Sequence, residues 1–125
     1  MLSASNLVEI GIVMQARRGD DGARDLDLLL AKLKVDIAAV TVDHADIARK
    51  AFRRYGRGRH AANLNFGDCF AYALAKDKSA PLLFKGDDFG RTAFPHSTVP
   101  RSKMRPALNR HRVPVFSASQ VLIRD

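Results

Sequence analysis

The sequence predicts an α/β fold with a parallel sheet. Three observations carry this. Apolar residues recur at helical spacing in four stretches. Between them lie two short, nearly continuous apolar runs, "VDIAAVTV" and "LLF", of the kind a buried parallel strand shows. Helical and strand signals alternate, as layered α/β units require.

Each element has a local reason. Leu7, Ile10 and Met14, with Val8 and Ile12 beside them, predict a first helix from Ser3 to about Arg18. Ser3, Ser5 or Asn6 is available to cap it, and Asn6 and Glu9 have capping-box spacing. "RRGDDG" breaks the chain. A second helix follows from about Gly22 to Lys34, with Leu26, Leu29, Leu30 and Leu33 on one face. After the "VDIAAVTV" strand, Asp43 is read as the cap of a third helix, in which Ile47, Ala48, Ala51, Phe52 and Tyr55 align. "GRGRHAAN" reads as a mobile, positive loop. Asn65 caps the fourth helix, Pro81 marks its end, and "LLF" follows as a strand closed by "KGDDF".

The grammar changes near Phe94. Residues 1–94 are read as the folded domain. Residues 95–125, with Pro95, Pro100, Pro106 and Pro114 among many arginines, are read as a basic, irregular tail. Within it, "VPVFSASQVLI" fits a late strand or a short amphipathic piece. A parallel strand inserted at the sheet centre needs a long, well-placed connection, which counts against such a role for the tail.

The chain of 125 residues is one domain's worth. Its net charge of +8 points to a polyanionic partner. Residues 1–94 hold 15 Lys+Arg and 12 Asp+Glu, a balance of +3, whereas residues 95–125 hold 6 Lys+Arg and 1 Asp, a balance of +5. The tail therefore supplies most of the excess, and a basic RNA-binding module driven by it is one hypothesis. No window has the long uncharged apolar run of a membrane span, and the start lacks the order of a signal peptide. The lone Cys69 and the scattered histidines offer neither a disulfide nor zinc spacing. A reducing, cytoplasmic setting is expected.

Three acids stand out by position. Glu9 lies early in the first helix, Asp68 in the first turn of the fourth, and Asp87 where a strand ends, with Asp88 beside it. In open α/β sheets ligands gather outside the carboxyl ends of the strands, and the amino ends of the following helices open onto the same rim. Two carboxylates about 4 Å apart repel by roughly 4 kcal/mol at an effective dielectric near 20. A helix-dipole contact returns only about 0.3–1 kcal/mol. Such a cluster needs a cation or a shared proton, and oxygen-only ligands select Mg²⁺ or Mn²⁺. Each residue also has a plainer reading. Asp68 is a favourable first-turn acid, Glu9 half of a capping box, and Asp87 and Asp88 turn residues. Arg57, Arg59 and His60 form a solvated loop, and Cys69, Phe66, Phe70, Tyr72 and Phe84 belong to the core.

"SASNLVE", "AFRRYGRGRHAANLNFGDCFAYALAK" and "PLLFKGDDF", in this order, resemble the PIN-domain ribonucleases, specifically the VapC-type toxins of type II toxin–antitoxin pairs. The resemblance covers roughly residues 1–93. It implies a PIN-like three-layer α/β fold and a Mg²⁺-dependent endoribonuclease, silenced by a cognate antitoxin and capable of forming a homodimer. Glu9, Asp68 and Asp87 (alternate Asp88) would be the catalytic metal ligands, and Arg57, Arg59 and Lys85 the phosphate contacts. Two departures accompany it. The family opens with a hydrophobic strand ending in an aspartate, absent here before Ser3, so the fold is expected to be truncated at its first strand. The tail is foreign to the family. A catalytically inactive remnant that binds only RNA or an antitoxin is the alternative.

Overall fold

The computed structural model describes residues 1–83, Thr92 and Val115–Phe116. In chain order the elements are β1 (Leu2–Ser3), α1 (Ala4–Leu33), β2 (Ile37–Ala38), α2 (Val42–Tyr55), α3 (Phe66–Asp77), β3 (Leu82–Leu83) and β4 (Val115–Phe116). The expected Phe84 of the core, and "KGDDF" with Lys85, Asp87 and Asp88, lie outside the described residues.

The two amino-terminal helices of the sequence reading run on as α1, parted by a kink at Gly19, whose backbone is non-helical (φ +60°, ψ −146°). A positive φ is readily accessible only to glycine, so "RRGDDG" breaks the helix where the sequence reading places the break. Ile10 and Leu26, one on each side of the kink, pack with Leu2 into a small core. Val8 and Ile12 stay largely exposed, since they fall off the buried stripe. Ser3 occupies the cap position of α1 without a side-chain cap bond.

Strands β1 and β2 pair in parallel, Leu2 opposite Ile37 and Ser3 opposite Ala38. The expected strand over "VDIAAVTV" shrinks to two residues. Its Ile37 is 43% exposed, because β2 has a single partner among the described residues. Strands β3 and β4 also pair in parallel, Leu82 opposite Val115, and Val115 N–H donates to Pro81 O at 3.0 Å. Of the two readings of "VPVFSASQVLI", the late strand matches the structure. Strand β4 also lies next to β1, so the buried Val115 stands at the junction of the two strand pairs.

Helix α3 is the hub. It packs against α1 and α2 and against β1, β3 and β4. Cys69, Ala71, Tyr72, Ala73, Leu74 and Ala75 are all buried. A helix apolar on every side is a core helix, and its alanines let neighbouring elements approach closely. Helix α2 is amphipathic, burying Ala48, Ala51 and Tyr55. Its cap is Thr41, not Asp43. Thr41 Oγ1 accepts from His44 N–H at 3.1 Å, and His44 Nδ1 faces the Thr41 N–H at 3.4 Å. The reciprocal box is completed by histidine at the position usually held by Glu or Gln, which hides it from a search for acidic partners. The loop after α2 is not free at its base: Leu64 N–H donates to Tyr55 O and Arg57 N–H to Leu64 O, each at 2.9 Å.

Candidate metal and nucleic-acid site

The site forms where α1 leaves the carboxyl end of β1 and meets the first turn of α3. Asn6 is fully buried there. Its Nδ2 donates to Gly67 O at 2.9 Å and lies 3.4 Å from Glu9 Oε2. Its Oδ1 is buried with no hydrogen-bond partner among the described residues. Leaving such an acceptor unsatisfied costs about 1–3 kcal/mol.

Glu9 sits directly against Gly67. A Cβ built at Gly67 would overlap Glu9 Oε2 and lie 2.7 Å from its Cδ. Glycine at 67 is therefore what lets the carboxylate reach the amino end of α3, where the helix dipole favours negative charge. The next residue is Asp68. Its Oδ2 accepts from Asn65 N–H at 3.0 Å, and its own N–H donates to Asn65 Oδ1 at 2.9 Å. Both halves of a capping box are present.

The structure thus brings Glu9 and Asp68 to flanking positions about one glycine. It also assigns Asp68 the plainer role of capping acid, with Oδ2 committed to the backbone. Asp87, Asp88 and Lys85 fall outside the described residues. Among the described residues, no three His, Cys, Asp or Glu side chains gather closely enough to hold a metal ion. Glu9 and Asp68 are oxygen donors of the kind a hard divalent cation takes, while Asn6 turns its amide nitrogen, not its oxygen, towards Glu9.

Arg57 and Arg59 are exposed beyond α2. The Arg59 guanidinium lies 6.0 Å from the Phe52 ring centre. His60 is anchored, its Nδ1 accepting from Ala62 N–H at 3.0 Å and its ring edge-on to Tyr55. Cys69 is buried, and burial, helped by the Asp68 charge, pushes its thiol up to about 11. It is a core residue, as expected. Phe66 is not: at the first position of α3 it is 73% exposed, with its ring against Phe70 at 5.0 Å.

The sequence reading missed the role of Asn6. Its signal was a polar residue four before Ile10, on the stripe that packs inward. The basic run on α2, Arg49, Lys50, Arg53 and Arg54, was not singled out in the sequence reading.

The family model of the PIN domain matches residues 1–95. The chain belongs to the PIN-domain family. It is 52% identical over 92 residues to Ribonuclease VapC30 of Mycobacterium tuberculosis, covering 74% of this chain and 70% of that protein. It is 53% identical over 91 residues to Ribonuclease VapC of Mycolicibacterium smegmatis, covering 73% and 70%. It is 47% identical over 92 residues to Ribonuclease VapC28 of Mycobacterium tuberculosis, covering 73% and 69%.

Proposed function

We propose that this chain is a metal-dependent endoribonuclease, the toxin of a type II toxin–antitoxin pair, acting in the cytoplasm. The observation that carries the reading is the seating of Glu9 on Gly67, one residue before Asp68, in a chain about half identical to ribonucleases of the same family. Glu9 and Asp68, joined by Asp87 or Asp88, would hold Mg²⁺, with Mn²⁺ able to replace it. The bound ion supplies a polarised water and neutralises charge on the phosphate oxygens. Asn6 fixes the distance between α1 and α3 and so orients Glu9. Arg57, Arg59 and Lys85 grip neighbouring phosphates, which positions RNA without reading its bases. A cognate antitoxin and a second copy of the chain are the expected partners. Among the described residues no helix is long and apolar enough to cross a membrane.

A specific observation favours a second reading. Asp68 Oδ2 is engaged by Asn65 N–H, and no three-ligand cluster exists among the described residues. An inactive domain that binds RNA or an antitoxin would tolerate both. The deciding experiment is cleavage of a labelled structured RNA by metal-stripped protein, with and without added Mg²⁺, against Asp68→Asn. The nuclease reading requires Mg²⁺-stimulated cutting that the variant loses. Equal, metal-insensitive behaviour of both proteins rules out the nuclease reading.

A further inference from the structure

Away from the acids, the charge of the described residues is concentrated in one place. Residues 49–60 hold Arg49, Lys50, Arg53, Arg54, Arg57 and Arg59 and no acid. The remaining residues of 1–83 hold 7 Lys+Arg and 10 Asp+Glu, a balance of −3. All six cations are exposed. Arg49 meets Asp46 at 3.5 Å on the open surface, a pair worth little. Among the described residues no other acid pairs with the six. Arg49 and Arg53, and Lys50 and Arg54, are four residues apart. Each pair therefore stacks along α2 with a step of about 6 Å.

This basic face adjoins an apolar groove. Ala45, Ala48 and Phe52 of α2 face Phe66 and Phe70 of α3 across a space of about 560 Å³. Arg49 lines both this groove and the mainly cationic hollow it forms with Asp46, Lys50 and Arg53. Aromatic faces beside a row of phosphate-binding cations are what an unpaired strand of nucleic acid needs. The bases stack and the backbone is neutralised. A duplex would present no free base face to the groove.

We propose that the α2–α3 groove is a track for single-stranded RNA, with a base stacked on Phe66 and Phe52 and the backbone running over Arg49 and Arg53. The track deepens the ribonuclease reading and rests on it for the choice of RNA. Phe66 and Asp68 share the first turn of α3, so a strand held in the groove leads to the end of the helix that carries the acid.

The test is fluorescence anisotropy of a short labelled single-stranded RNA of mixed sequence, with the full chain in EDTA so that no cutting occurs. The substituted side chains are exposed, and circular dichroism verifies their folding. Arg49→Ala combined with Arg53→Ala should weaken binding and lower the slope of log K against log salt by about 1.4. Phe66→Ala should weaken binding about tenfold with the slope unchanged. Affinity unmoved by Phe66→Ala, or a slope unmoved by the double arginine variant, overturns the track. So does a groove that takes an acidic amphipathic peptide without displacing RNA. The two readings fail separately. Absence of Mg²⁺-stimulated cleavage with these binding changes intact removes the nuclease and leaves the track. Cleavage with an unchanged KM in Phe66→Ala removes the track and leaves the nuclease.

Discussion

The Asn6 side chain donates to the Gly67 carbonyl at 2.9 Å across 61 residues of sequence. This bond ties the start of α1 to the first turn of α3 inside the core. Glu9, one helical turn beyond Asn6, lays its carboxylate over the bare α-carbon of Gly67. The candidate site is a consequence of how two helix ends dock.

Gly67→Ala should therefore expel Glu9 and strain the docking, at about 1–3 kcal/mol of stability as for other overpacked sites, and any Mg²⁺-dependent cleavage should fall with it. Gly11 is the control. A Cβ there meets nothing within 4 Å, and as a helix-interior position Gly11→Ala should stabilise by about 0.5–1 kcal/mol. Urea unfolding of the two variants should move in opposite directions. Gly67→Ala as stable as the parent, with intact activity, would refute the close approach.

The buried His44 lies 3.0 Å from Asp77 Oδ2, linking α2 to the end of α3. The hydrogen bond from His44, and next the bond from Lys78, hold the Asp77 carboxyl below its ordinary value of 3.8. A carboxyl depressed in the folded state contributes stability that is complete above its unfolded pKa. That contribution is lost as pH falls through the folded one. Unfolding midpoints should drop in acid below the ordinary carboxylate range. Asp77→Asn should flatten that part of the profile, and a variant with the parent's acid limb would contradict the linkage.

Cys69 faces the core, with its thiol pushed up to about 11. At neutral pH the native protein should react with a thiol reagent only as fast as it opens, and completely once unfolded in urea. Immediate stoichiometric labelling of the folded chain would show the burial to be wrong.

Val115 is fully buried and hydrogen-bonded to Pro81 O, so the region read as tail contributes to the core. Val115→Ala should cost about 1.5–3 kcal/mol, with larger losses for Val115→Asp because it buries a charge without a partner. Unchanged thermal unfolding of both variants would mean that residues 1–94 fold without this strand, the division first read from composition.

Much of the fold was legible because it is local. The Asn65–Asp68 box, the break at "RRGDDG" and the alternation of apolar runs each lie within a few residues. Thr41 was missed because histidine took the acid's place in its box. Phe66 was placed inside because sequence periodicity does not tell which terminal residues of a helix stay exposed. Val115 against Leu82, and Asn6 against Gly67, are contacts between distant segments, and no single-sequence pattern encodes them. Of the site, the residue types and their rim position were readable. The commitment of Asp68 Oδ2 to Asn65, and the support of Glu9 by Asn6, were not.

The account turns on a divalent ion shared by Glu9 and Asp68. Mn²⁺ binding to the full chain, followed by electron paramagnetic resonance, tests this without reference to turnover. The account predicts saturable binding, competed by Mg²⁺ and weakened at least about tenfold by either Glu9→Gln or Asp68→Asn, the size expected when a charged partner is lost. Binding of equal strength in the parent and both variants would contradict it.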